Sequence, residues 1–216
     1  MALEYRVVPV TPFQQNCSVI WCSQTRKAAI VDPGGDLDRI MAVVEDEGLD
    51  LEQILLTHGH VDHIAGTDEL KRLTGVPIIG PGEEDLFWIQ MLPEICKQYG
   101  FPPALGFSPD RWLKEGDNLE VGNETLRVIH APGHTPGHII FFHKEQSLAW
   151  VGDVLFQGSI GRTDFPKGDY DTLIRSIRER LWPLGQEVTF VPGHGPNSTF
   201  GKERRSNPFV GDGLFE

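Results

Sequence analysis

THGHVDH, residues 57–63, sets His58, His60, Asp62 and His63 within six positions. In an extended loop alternate side chains point the same way, so His58 and His60 can reach one point in space. Asp62 and His63 open the helix that the following pattern predicts to about Leu73, and they face a neighbouring point. Capping a helix does not need three imidazoles, whereas imidazole is a common metal ligand. The apolar run Gln53 to Leu56 reads as a buried strand. The cluster therefore lies where a strand passes into a helix.

Three later positions repeat that setting. His134 in APGHTPGH, Asp153 in WVGDVLF and His194 in VPGHGP each follow a predicted β run. Each sits beside glycine, where the backbone can turn tightly and approach an ion closely. A lone histidine after a strand is more often structural than a ligand; four strand-end loops offering His or Asp donors are a much more specific signal. The seven donors His58, His60, Asp62, His63, His134, Asp153 and His194 can serve two metal ions with one carboxylate shared, leaving coordination positions open for water. With no thiolate in the set, zinc is the expected metal, and iron or manganese would accept the same donors. Asp32 in VDPGG has two readings, fixing a histidine ring or forming the turn. His130 and His138 are expected to pack or support, and His143, after an apolar strand, to be exposed.

The first third predicts strands at Tyr5–Val10, Cys17–Trp21 and Ala28–Val31, then an amphipathic helix over Asp36–Glu47. A strand at Pro77–Ile79 precedes a helix over Glu83–Gln98, interrupted or kinked at Pro93, and a proline-rich loop from Phe101 to Pro109. The aromatics Trp88, Phe101 and Phe107 either form a substrate wall or, more usually for such residues, core. Strand signals return at Asn118–Val121, Thr125–His130, Ile139–Phe142 and Leu148–Val151, followed by a helix over Tyr170–Arg180 and a strand at Val188–Val191. Strands precede helices in both halves. Two sheets packed face to face with helices outside fit this order, and so does a single mixed sheet.

A chain of 216 residues with 39% hydrophobic content fits one domain, 1–216, with a single active site. The net charge of −12 repels polyanions and argues against a nucleic-acid partner. No run approaches the roughly 18 to 20 apolar residues of a membrane helix, and Glu4 and Arg6 stand where a signal peptide would be apolar. The expectation is a cytoplasmic protein acting on a small molecule, with no membrane association and no obligate protein partner. Cys17, Cys22 and Cys96 are too few for a disulfide framework and read as buried thiols. The basic residues Lys202, Arg204 and Arg205 read as the solvated face of a helix.

These motifs carry a resemblance. THGHVDH matches the HxHxDH signature of the metallo-β-lactamase superfamily, and His134, Asp153 and His194 resemble its later ligand motifs in order. The match runs from DPGG at Asp32 to the PGHGPNST and NPF stretches. Within the superfamily, GHTPGH and the GD at Asp153 are most similar to glyoxalase II, the hydroxyacylglutathione hydrolases, and to their short single-domain bacterial relatives. The resemblance implies an α+β fold, a four-layer αββα sandwich with metals at one edge between the sheets. It assigns His58, His60 and His134 to one metal, Asp62, His63 and His194 to a second, and Asp153 as the bridge.

It further implies a binuclear hydrolase cleaving thioesters such as S-lactoylglutathione. Two metals flanking a water lower its pKa from 15.7 towards about 7, Asp62 and Asp153 act in catalysis as well as ligation, and a thiolate leaves. The longer enzymes bind glutathione through a helical carboxyl-terminal extension and through basic and aromatic residues after the GD motif. Here the sequence closes at Glu216 and GSIGRTDF stands in the second place, with Arg162 either contacting a substrate carboxylate or lying free on the surface. GSIGRTDF also resembles persulfide dioxygenases, which would use one iron on His58, His134 and Asp153. The non-enzymatic alternative is a scaffold whose loops the metals only staple, although structural zinc sites are usually closed by four ligands and often use cysteine. β-Lactamases of the superfamily are exported in bacteria, and nothing in the sequence directs export.

Overall fold

Alternation along the strands sorts their side chains between two faces, and both faces are covered. The computed structural model describes residues 2–215. Met1 and Glu216, the outer limits of the domain expected over 1–216, lie outside the described residues. The first sheet has the order β1 (Leu3–Val10), β2 (Gln15–Cys22), β3 (Lys27–Val31), β4 (Asp50–Leu55) and β5 (Ile78–Ile79). Outside it lie α1 (Leu37–Asp46), α2 (Val61–Ile64), α3 (Thr67–Thr74) and α4 (Leu86–Tyr99). The second half contributes β6 (Asn118–Val121), β7 (Glu124–His130), β8 (Ile139–His143) and β9 (Leu148–Gly152). A short ribbon, β10 (Leu155–Phe156) and β11 (Ser159–Ile160), comes next, then α5 (Tyr170–Ser176), β12 (Thr189–Pro192), β13 (Ser198–Thr199) and α6 (Phe200–Ser206). The second sheet is ordered β13-β12-β9-β8-β7-β6.

In β8, Ile139 and Phe141 face the first sheet while Ile140 and Phe142 face α5; in β9, Leu148 and Trp150 face inward while Ala149 and Val151 face outward. Ile20, Val31 and Leu55 meet those inner side chains from the first sheet, and Val19, Ile30 and Ile54 turn out beneath α1, α3 and α4. Each such aliphatic or aromatic side chain contributes about 1.5–3 kcal/mol by leaving water. The result is the expected four-layer αββα sandwich. Among the described residues no helix is long and apolar enough to cross a membrane, and all three cysteines are free and buried.

β7 and β9 are each antiparallel to β8, and β12 is parallel to β9. Their carboxyl ends therefore share one edge, and the loops carrying His134, Asp153 and His194 all leave from it.

Local differences from the sequence reading have long-range causes. The helix expected from Asp62 to Leu73 is two pieces, α2 and α3. Between them the Gly66 N–H donates to the Pro33 carbonyl at 3.0 Å, and an added Cβ at Gly66 would lie 2.6 Å from that oxygen. The expected helix at Glu83 starts as a 3-10 turn over Glu83–Asp85, and α4 then continues through Pro93 to Tyr99. Burial of Trp88, Ile89, Leu92, Ile95 and Cys96 on one face offsets the hydrogen bond that proline omits. The helix expected to Arg180 passes at Ile177 into a π-helical turn, Ile177–Leu181. His143, expected at the surface, is buried with Nε2 3.0 Å from Glu124 Oε2, because β8 extends one residue further and β7 supplies the carboxylate.

Candidate metal centre

The loop after β4 turns His58, His60, Asp62 and His63 inward, and all four are buried. Donor atoms of His58, His60 and His134 lie within 4.8 Å of one another, and so do those of Asp62, His63 and His194. Asp153 reaches both trios. Its Oδ1 is 3.3 Å from His63 Nε2, and its Oδ2 is 3.6 Å from His134 Nε2 and 3.7 Å from His194 Nε2. His194 Nε2 is in turn 3.0 Å from Asp62 Oδ2. Donors about 2.0–2.1 Å from a tetrahedral ion lie about 3.3 Å apart, so these separations are those of ligands around a common centre. The seven residues singled out in the sequence thus come together at one edge of the sandwich.

Four of the five rings are fixed through Nδ1. His134 Nδ1 donates to the Arg162 carbonyl at 2.7 Å and His194 Nδ1 to the Phe13 carbonyl at 3.1 Å. His63 Nδ1 donates to Asp32 Oδ2 at 2.9 Å. The Thr57 hydroxyl donates to the same Asp32 oxygen at 2.6 Å, so Thr57 Oγ1 accepts from His58 Nδ1 at 3.0 Å. A carbonyl can only accept, so Nδ1 carries the proton in a neutral ring and Nε2 is left as a lone pair. Nε2 of His58, His60, His63 and His134 and Oδ1 of Asp153 are buried without a hydrogen-bond partner among the described residues. Orphaned buried acceptors cost about 1–3 kcal/mol each. Five of them aimed at one space fit a bound cation.

Burial, followed by the neighbouring imidazoles, holds His58 well below the ordinary histidine pKa. His60 is lowered for the same first reason, with His134 beside it. Burial alone would raise Asp153, but His63, His134 and His194 drive it well below the usual carboxylate range. A neutral His58 and His60 beside an ionised Asp153 are the protonation states that ligation needs; burial works against protonation of His63 and His194 as well, but Asp153 and Asp62 outweigh it and raise both. Asp32, His58 and His63 also lie close enough to form a trio. Asp32, however, already accepts from Thr57 N–H, the Thr57 hydroxyl and His63. Both sequence readings of Asp32 hold: its carboxylate fixes the His63 ring, and its backbone, at φ 53°, forms the turn in which Gly34 N–H donates to its carbonyl at 2.9 Å.

His138 supports rather than joins the donors. Its Nε2 accepts from the Asp153 N–H at 3.1 Å, and its ring stacks on His58 at 4.6 Å. Asp85 went unnoticed in the sequence. Its buried carboxylate accepts from Gly59 N–H at 2.9 Å, the Thr135 hydroxyl at 2.7 Å and Gly137 N–H at 2.6 Å. It thereby ties the loop of His58 and His60 to the loop of His134. Burial pushes its pKa up to about 6.

The donors open into a cavity of about 840 Å³. Trp88 stands 4.6 Å from His60, ring to ring, and Phe165 4.9 Å, so Trp88 is both a buried core residue and cavity wall, while Phe101 and Phe107 pack on the core. Arg162 lines the mouth, its side chain exposed.

The model of the metallo-beta-lactamase superfamily matches residues 10–194, the span that holds every donor. The chain belongs to the metallo-beta-lactamase superfamily. The hydroxyacylglutathione hydrolase GloC of Haemophilus influenzae is 48% identical over 209 residues, 96% of this chain and 98% of that protein. Among solved superfamily structures, the B3 metallo-beta-lactamase BLEG-1 superposes with a TM-score of 0.88 at 33% identity, covering 96% of this chain and 99% of the other. TTHA1623 in a di-iron-bound form superposes with a TM-score of 0.86 at 34% identity, covering 95% and 100%. Superfamily membership and the GloC relative support a metallo-hydrolase, and the His/Asp clusters are the groups that could hold its metal.

Proposed function

We propose that the protein is a binuclear metal-dependent thioester hydrolase, with S-lactoylglutathione or a close acyl thioester as substrate. The observation that carries it is Asp153, whose carboxylate reaches both donor trios, Oδ2 lying 3.6 Å from His134 Nε2 in the first and Oδ1 3.3 Å from His63 Nε2 in the second. The GloC relative supports the thioester, and the di-iron form of TTHA1623 supports two metals. His58, His60 and His134 would hold one ion and Asp62, His63 and His194 the other, with Asp153 shared. Zinc and iron both suit these donors. When bound, the two cations supply a water of lowered pKa and polarise the adjoining carbonyl.

The chain's own residues do the rest. Asp62 faces the shared space beside His194 and orients the attacking water through its carboxylate. Trp88 and Phe165 wall the histidines on one side and keep bulk water from the acyl group. The leaving thiol has a pKa near 8.5, so it departs as thiolate and no acid at its sulfur is required. The substrate is a small molecule, and the reading involves no nucleic acid, membrane or obligate protein partner and a cytoplasmic setting.

The test is thiol release from S-lactoylglutathione by zinc- or iron-loaded protein beside His58→Ala. Turnover that is lost in the variant is the expected result; no turnover of any thioester rejects the reading. The likeness to BLEG-1 favours β-lactam hydrolysis as the second reading, and a chromogenic cephalosporin in the same assay separates the two. Oxygen uptake with glutathione persulfide would instead indicate the mononuclear dioxygenase.

A further inference from the structure

Among the residues lining the cavity, Arg162 is the one lysine or arginine. One edge of its guanidinium is already taken. Nε donates to Asp164 Oδ1 at 2.9 Å and Nη2 to Oδ2 at 2.7 Å, a bidentate pair two residues apart. The guanidinium also lies over the Phe165 ring, 4.3 Å from its centre, and Phe165 in turn packs against His60. The backbone of Arg162 holds His134. The cation is therefore seated at the edge of the donor set, stacked and charge-neutralised by its own neighbour.

The remaining wall is largely apolar. Phe13, Met91 and Tyr99 line the cavity while exposed to solvent, at 43%, 43% and 48%, and an exposed apolar rim around a cavity marks a binding surface. A substrate carboxylate arriving at Arg162 meets a cation whose charge Asp164 already offsets, and it must either displace that bidentate pair or take the Nη1 side next to a carboxylate of its own sign, so it gains little. An apolar or uncharged group against Phe13, Met91 and Trp88 meets no such competitor.

We propose that Asp164 is a specificity-determining residue: by occupying Arg162 it suppresses recognition of substrate carboxylates and biases the site toward thioesters that are neutral and apolar near the mouth. The proposal rests on the thioesterase reading for its substrate class. Its charge competition can be measured without catalysis.

Two readouts test it in the metal-loaded protein, each comparing wild type, Asp164→Asn and Asp164→Asn/Arg162→Ala. The first is the ratio of KM for S-lactoylglutathione to KM for the uncharged S-lactoyl-N-acetylcysteamine. The second is the Kd of S-hexylglutathione, a thioether that cannot be hydrolysed, by calorimetry. Asp164→Asn is expected to lower the KM ratio and the Kd by about two- to fivefold, the range of an exposed ion pair. The effect should shrink in high salt and vanish in the double variant. Turnover of both thioesters with an unchanged ratio and Kd overturns the inference and leaves the hydrolase standing. No turnover with a tightened Kd does the reverse. No turnover and an unchanged Kd rejects both.

Discussion

His63 Nδ1 lies 2.9 Å from Asp32 Oδ2, and the bond turns the opposite nitrogen of the ring to within 3.3 Å of Asp153. One carboxylate, carried by the turn after β3, thus sets the direction of a ligand on the loop after β4. Asp32→Ala leaves His63 free to rotate and removes the acceptor that holds Thr57, and through it His58. Metal affinity is expected to fall about 10–100-fold, measured by competition with a chromophoric chelator. Affinity equal to wild type would show that the bond does not orient the ring.

Asp85 acts on the same donors from the other side. Asp85→Ala leaves two buried N–H groups and a hydroxyl without an acceptor. At about 1–3 kcal/mol each, and not fully additive, the loss of stability is expected to be about 2–5 kcal/mol by denaturant unfolding. The loops of His58 and His134 lose their common tie, so metal should also be released more readily. A loss below about 0.5 kcal/mol, the range of ordinary surface substitutions, would place the three donors elsewhere.

The same carboxylate predicts a pH dependence. Its pKa is raised by burial to about 6, above the roughly 3.9 of an unfolded aspartate. Between pH 4 and 6 the folded state therefore holds a proton that the unfolded chain has released, and this group's contribution to stability falls as pH rises through that window. Asp85→Asn cannot titrate and removes the dependence. Wild-type stability measured relative to Asp85→Asn should rise by up to about 3 kcal/mol from pH 7 to pH 4. A difference that is flat over that range, or that falls toward acid, contradicts the assignment.

The donor set was legible in the sequence because metal ligation forces rare residue types into strand-end loops with glycine beside them, and those features are local. The two-sheet architecture followed from the order of strands before helices in both halves and from the superfamily resemblance, although choosing two sheets over one needed the strand pairing itself. What could not be read depended on partners distant in sequence. Asp85 is the third acid of Glu83-Glu84-Asp85 and differs from its neighbours only in being turned toward Gly59 and Gly137. His143 looked like a residue past the end of a strand until β7 placed Glu124 beside it. The break between α2 and α3 comes from the Pro33 carbonyl, which no helical pattern over 62–73 contains. Arg162 was open between ligand contact and surface residue, and its exposure and its bond to Asp164 account for both possibilities.

Gly193 sits behind the shared carboxylate. A Cβ there would lie 2.1 Å from Asp153 Oδ1 and 2.7 Å from His63 Cε1, both inside van der Waals contact. The clash falls on the end of a side chain that spans the two donor trios and on a ring already tied to Asp32. Asp153 can swing away without moving β9, so Gly193→Ala is expected to keep the sandwich and lose the bridge. Far-ultraviolet circular dichroism should match wild type while bound metal drops below two equivalents per chain and thioester turnover falls at least about 100-fold, the scale on which roughly 1 Å of misplacement acts. A folded variant that still binds two equivalents and turns over at the wild-type rate would mean that Asp153 does not need the place the glycine leaves for it, and the shared-carboxylate arrangement would have to be abandoned.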